Sequence, residues 1–250
     1  MPNKISCREG VYGSWETAAQ YLPKAGIRYI ELQVREVDAL KAAADGCRKK
    51  GVTPLTIAGG VDCDDQASIA KVKAACEMAK KIDVRYYFLS AKGQDRAKSM
   101  KTLRALGQHA RGCGVTLCLE THPPFCLNGS EMLKTMSEVK QDNVRINFDT
   151  ANVFYYNENT DSADELDKAV KYVASVHLKD TDGGFKSGNF PVFGEGVVQF
   201  KRIFKTLHDN GFDGPLTMEL EGDLMKGLDN DGRHAKVVGC MNYLKSIGEA

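Results

Sequence analysis

Charge of one sign is what this 250-residue chain most clearly lacks: lysine and arginine number 34 against 33 acidic residues, a formal net charge of +1. Such a balance supplies no overall field for nucleic acid or an anionic membrane. No window approaches the roughly 18 to 20 consecutive apolar residues that a bilayer-spanning helix needs. The start, Met1-Pro2-Asn3-Lys4-Ile5-Ser6-Cys7-Arg8, has no apolar stretch suited to a signal peptide. The chain therefore reads as cytoplasmic. Its eight cysteines have neither the close pairs of a zinc ribbon nor the density of a small secreted scaffold, and are expected to be reduced thiols, several of them in the core. After the first apolar run, Arg8-Glu9-Gly10-Val11-Tyr12-Gly13 lacks the full glycine spacing of a dinucleotide loop, so no nicotinamide cofactor is expected.

What the chain does have is alternation. Short apolar runs that suit buried strands occur at Ile5–Cys7, Tyr29–Val34, Pro54–Ala58, Tyr86–Ser90, Thr116–Glu120, Arg145–Asp149, Ala174–Leu178 and Leu216–Leu220. Between them, apolar residues recur at helical spacing, as in Ile69, Val72, Cys76, Ala79 and Ile82, or Phe200, Ile203, Phe204 and Leu207. Gly26, Gly51, Gly114 and Gly211 each follow a helical stretch, where a left-handed residue commonly ends a helix. Ser14-Trp15-Glu16-Thr17 and Ser130-Glu131-Met132 resemble helix starts. Eight strand-helix units in about 250 residues predict a single closed (β/α)8 TIM barrel, α/β in class. With no linker or composition shift, residues 1–250 are read as one domain.

Four of the runs end in residues that bind divalent metals: Glu120, Asp149, His177 and Glu219, separated by 29, 28 and 42 positions. The last interval is lengthened by the glycine-rich insertion Asp182–Gly188. Parallel strands in a barrel bring such endings to one face. Packing does not call for charge there, and clustered carboxylates repel one another without a cation between them. A metal is the simplest partner. An oxygen-rich set with one imidazole suits one divalent ion, Mn2+ foremost, with Mg2+, Co2+ or Zn2+ as alternatives.

Leu119-Glu120-Thr121-His122, Phe148-Asp149-Thr150-Ala151-Asn152, His177-Leu178-Lys179-Asp180, Phe193-Gly194-Glu195-Gly196 and Gly211-Phe212-Asp213-Gly214-Pro215-Leu216-Thr217-Met218-Glu219 resemble the successive signatures of the xylose isomerase-like barrels. That family includes sugar and sugar-phosphate isomerases and epimerases, and inosose dehydratase. The likeness covers the second half by motif and the first half by architecture. It implies that Glu120, Asp149, His177 and Glu219 hold one metal, and that Glu120 and Glu219 act as an acid-base pair on a keto-sugar or sugar-phosphate-like polyol. The reaction implied is isomerisation or epimerisation through an enediolate, with elimination by a lyase or dehydratase as the alternative. Asn152 stands where ketose 3-epimerases usually carry histidine, and the arginine that commonly follows the strand-seven histidine is missing.

Further candidates around the site are His122, Asn152 and Lys179 for substrate oxygens, Glu31 as a substrate-facing group, and Glu195 to orient His177 or its loop. Lys179 has a Schiff-base alternative. Glu221 competes with Glu219 because residues two apart on a strand share a face. Lys92 is a weaker candidate, His109, His208 and His234 read as packing or surface residues, and Trp15 as packing. The expected partner is a small carbohydrate, with no nucleic acid and no membrane, in a chain that can pair with a second copy. An apurinic-site endonuclease needs a histidine-rich three-zinc cluster and a basic face, which five histidines and a near-neutral charge do not supply. A non-catalytic sugar-binding subunit is the remaining rival.

Overall fold

The computed structural model describes residues 3–250; Met1 and Pro2, the start of the polar amino-terminal run, lie outside the described residues. Eight strands form the barrel: β1 Lys4–Arg8, β2 Tyr29–Gln33, β3 Thr53–Asp62, β4 Tyr86–Lys92, β5 Thr116–Glu120, β6 Val144–Asp149, β7 Val173–Leu178 and β8 Pro215–Met218. All pair in parallel with their chain neighbours, and β8 closes on β1 through Ile5 beside Leu216 and Cys7 beside Met218. A parallel barrel strand is covered on both faces. That is why Leu117, Cys118 and Leu119 form an unbroken apolar run, all three buried.

Nine helices alternate with these strands among the described residues: α1 Trp15–Tyr21, α2 Ala39–Lys49, α3 Gln66–Lys81, α4 Arg96–Cys113, α5 Gly129–Val139, α6 Asn152–Tyr156, α7 Ser162–Ala169, α8 Phe200–Asp209 and α9 Asn230–Ser246. The apolar faces read from spacing are the buried ones: Val72, Cys76 and Ala79 on α3, and Phe200, Ile203, Phe204 and Leu207 on α8. Each fully buried phenylalanine contributes roughly 1.5–3 kcal/mol. Gly114 ends α4 at φ +73°, its N–H donating to the carbonyls of Ala110 and Arg111, a turn that a side chain at that φ would strain. No helix among the described residues is long and apolar enough to cross a membrane.

Two expectations about boundaries need correction. Helix α5 is capped by Asn128, whose side chain accepts the Glu131 N–H at 3.0 Å, and Ser130 lies inside its first turn. Strands β3 and β4 run past Ala58 and Ser90, pairing Gly60 with Ser90 and Asp62 with Lys92. Gly59 and Gly60 interrupt the apolar pattern there, and a Cβ at Gly59 would press on the Tyr87 hydroxyl at 2.7 Å. The bare glycine lets the tyrosine pack.

Candidate active site

The carboxyl ends of β6, β7 and the residue following β8 bring Asp149, His177 and Glu219 together. Each offers one ligand atom, and the three atoms lie within 4.8 Å of one another, all buried. Asp149 is held by its Oδ1, which accepts the N–H groups of Ala151 and Asn152, both at 2.8 Å. That leaves Oδ2 buried with no backbone donor, its one close partner being the Lys179 ammonium at 3.1 Å. The donor set of two carboxylates and an imidazole fits a divalent ion.

His177 is fixed from both sides. Its Nε2 lies 3.2 Å from Glu31 Oε2 and its Nδ1 3.2 Å from Glu219 Oε2, while its ring stacks on Phe88 with centroids 4.4 Å apart. With Nε2–H donating to Glu31, Nδ1 keeps its lone pair toward the carboxylates, an arrangement that readies a histidine for metal. Glu31 also accepts the Thr56 hydroxyl at 2.8 Å and is paired with Arg8 at 3.5 Å. Burial works to raise its pKa, but His177, Arg8 and Thr56 outweigh it and hold the carboxyl below its ordinary value.

This geometry revises three expectations. Glu31 is buried and turned to His177 and does not line the cavity at the site. Glu195, expected to orient His177, is exposed on a loop. Its place in the loop is taken by Asp180, which accepts the N–H groups of Thr181, Gly194, Gly196 and Val198 at 2.8 to 3.1 Å. Lys179 is buried instead of reaching for a substrate oxygen, with Nζ at 3.1 Å from Asp149 Oδ2, 3.0 Å from Glu219 Oε2 and 2.7 Å from Glu221 Oε1. Burial alone would lower its pKa, yet Asp149 and Glu221 raise it. A lysine held as an ammonium is a poor Schiff-base nucleophile.

Glu120 stands outside the three-residue group. It is half-buried at the end of β5, with the Asn152 amide donating to Oε1 at 3.3 Å. Asn152 also donates to the Thr121 carbonyl at 3.1 Å, so its amide nitrogen bridges that carbonyl and Glu120. His122 is half-buried, its Nδ1 on the Pro123 carbonyl and its ring edge-on to Tyr156 at 5.0 Å. Of the two glutamates that compete beyond β8, Glu219 points inward, whereas the Glu221 side chain is about half exposed and meets the group only through Lys179. Lys92 is exposed and paired with Asp62 at 3.3 Å. His208 lies beside Asn3 and Glu249 near the chain ends, His109 faces Glu77, and His234 bonds Tyr12.

A cavity of about 450 Å³ reaches the group at Glu219, lined also by Glu120, His122, Asn152 and Glu221 together with Arg8, Tyr156 and Phe190. Those last three were not anticipated. Arg8 ends β1 and forms an ion pair with Glu219, and its guanidinium lies 5.3 Å from the Phe88 ring centroid. Its position at a strand end is a usable signal, but arginine, a cation with no free donor atom, is not a metal ligand. Burial, followed by the nearby Glu120 charge, raises the Tyr156 phenol, which therefore remains a neutral hydrogen-bonding group.

The curated relatives agree with the architecture. The chain is 28% identical to inosose dehydratase of Yersinia enterocolitica, covering 62% of this chain and 59% of that protein. It is 25% identical to L-ribulose-5-phosphate 3-epimerase UlaE of Escherichia coli, over 82% of each. The chain spans about half the length of most of the curated relatives it matches first. Among solved structures, the IOLI protein with a bound zinc atom superposes with a TM-score of 0.78 at 18% identity, covering 98% of this chain and 97% of that one. The model of the xylose isomerase-like TIM barrel matches residues 19–243, and the chain belongs to that family.

Proposed function

We propose that this protein is a divalent-metal-dependent isomerase or epimerase of a keto-sugar or a similar polyol. The observation that carries the reading is the convergence of Asp149, His177 and Glu219 beside a cavity that Glu120 also lines. Asp149, His177 and Glu219 would hold the ion, with Glu120 as a fourth ligand from β5. Mn2+ is the ion favoured, and the zinc bound by the structurally similar IOLI protein supports a divalent cation generally. Once bound, the ion would supply Lewis acidity toward carbonyl and hydroxyl oxygens of an α-hydroxy ketone, lowering the cost of an enediolate.

The chain's own residues account for the proton transfers. Glu120 carries one long amide contact and is free to take the C–H proton adjacent to the carbonyl. Glu219, three strands away around the barrel, lines the cavity from the other side and returns a proton. Return to the same carbon inverts it, and return to the neighbouring carbon isomerises the sugar. Arg8 lies against Glu219 and the cavity, where it can steady substrate oxygens. The Asp180 clasp keeps the 194–198 loop folded behind the site.

A second reading, a dehydratase acting on a keto-inositol or keto-sugar, draws support from the inosose dehydratase relatives. The same deprotonation would then be followed by loss of a β-hydroxyl as water. NMR of candidate ketoses and inososes in D2O, with the protein loaded with Mn2+, separates the two. Deuterium at carbon with all hydroxyls retained supports the isomerase or epimerase. Loss of a hydroxyl supports the dehydratase. Absence of exchange across the panel, with Glu219→Gln indistinguishable from wild type, counts against catalysis and for a sugar-binding role.

A further inference from the structure

Lys179 sits on the oxygens that a metal would use. Its ammonium contacts Asp149 Oδ2, the one oxygen of that carboxylate left free by the Ala151 and Asn152 N–H groups. It also contacts Glu219 Oε2, the oxygen beside His177 Nδ1. The side chain is buried, and the Phe190 ring centroid lies 5.0 Å from Nζ. A divalent ion on those two oxygens would lie close to the ammonium, and two cations so near each other in a buried site repel, so each weakens the hold of the other.

Its third partner is different in kind. Glu221 faces the cavity and its side chain is about half exposed, yet it makes the shortest of the three contacts, at 2.7 Å. Lys179 therefore has an alternative anion at the cavity wall that is outside the three-ligand group. The buried negative charge of Asp149 and Glu219 is compensated in the unloaded protein by this lysine, together with Arg8. Resting on the metal reading above, we propose that Lys179 is an internal counter-ion that competes with the divalent cation for Asp149 and Glu219, and that Glu221 is the anion that receives the displaced ammonium.

If only a minor share of unloaded molecules has Lys179 off those oxygens, apparent metal affinity is reduced by that fraction, about tenfold for a one-in-ten population. Lys179→Met keeps the side-chain length against Phe190 and removes the charge. Isothermal titration with Mn2+ should then show binding tighter by at least about tenfold than wild type. Melting in EDTA should show an unloaded protein less stable than wild type, with a larger rise in Tm on adding Mn2+. Glu221→Gln works in the opposite direction without touching a buried group, and should weaken Mn2+ binding several-fold; it tests the same competition should Lys179→Met fail to fold. Equal Mn2+ affinity in wild type and in both folded variants overturns the counter-ion role and leaves the metal reading intact. Failure of all three proteins to bind Mn2+, Mg2+, Co2+ or Zn2+ overturns the metal reading itself.

Discussion

Glu31 and His177, 146 positions apart in the chain, meet 3.2 Å apart in the buried floor of the barrel, carboxylate oxygen to imidazole Nε2. A proton on Nε2 directed to Glu31 would leave the Nδ1 lone pair on the side of Asp149 and Glu219, the form of His177 that can bind a metal. Glu31→Gln keeps the size and removes the charge, and should weaken Mn2+ binding by about 10- to 100-fold with the fold retained. Titration calorimetry reads the affinity, and circular dichroism reads the fold. The same pair sets an acid limit. Burial opposes it, but His177, Arg8 and Thr56 hold Glu31 below its ordinary value of 4.5, so its contribution is complete above that pH and is lost as pH falls through the lower folded value. The urea midpoint of the metal-free protein should decline on acidification below that value, and less steeply in Glu31→Gln.

Asp180 shows how a single buried carboxylate can organise a loop. Four backbone N–H groups, from Thr181, Gly194, Gly196 and Val198, converge on its two oxygens. Asp180→Ala removes the shared acceptor of four backbone N–H groups at once. The expected loss is about 3 kcal/mol or more by urea unfolding. Limited proteolysis should cut first within 182–198. An unchanged midpoint and an intact loop would show that the clasp is dispensable.

Architecture was legible in the chain because it depends on repetition. Eight apolar runs and the intervening helical faces each report a local period, and their count leaves few alternatives to a closed barrel. The strand-end residues were legible for the same reason, since parallel strands send every ending to one rim. Partner choice within the rim was not. Glu31 and Glu195 are both acidic residues near strand or loop ends, and only the register of β2 against β3, which shifts between Ile30 and Glu31, turns Glu31 inward to Thr56 and His177. The ammonium of Lys179 could likewise have pointed to solvent or to the carboxylates; its buried position goes with three anions at or beyond the ends of β6 and β8, the two strands that flank its own, a sum that no local window contains. Asn128 and Ser130 are both good capping residues two positions apart, and the local pattern does not choose between them.

Trp15 and Gly46 make a contact that separates packing from helix propensity. Gly46 lies within α2, where alanine is ordinarily favoured by about 1 kcal/mol. Here a Cβ would run into the Trp15 ring, which is broad and only partly buried against the core. Gly46→Ala should therefore destabilise by about 1–3 kcal/mol despite its better propensity. The double variant Gly46→Ala with Trp15→Leu should recover part of that loss, a non-additivity that thermal melts of the four proteins would measure. Additive effects would mean that the two residues do not press on each other.

The eight thiols offer a test of burial throughout the barrel. Desolvation pushes Cys63 up to about 11, and Cys47, Cys76, Cys118 and Cys240 up to about 12, while Cys7 and Cys126 are raised further still. Only a thiolate attacks a disulfide reagent, so at pH 8 these seven remain protonated as well as shielded. Cys113, at the end of α4, is the half-buried member of the set. Ellman's reagent at pH 8 should find one fast thiol in the native protein and all eight after denaturation. Cys113→Ser should abolish the fast phase without changing Tm by more than a degree or so, as expected for a partly exposed position. Two or more fast equivalents in the wild type would mean that the helix layer opens far more often than its packing implies.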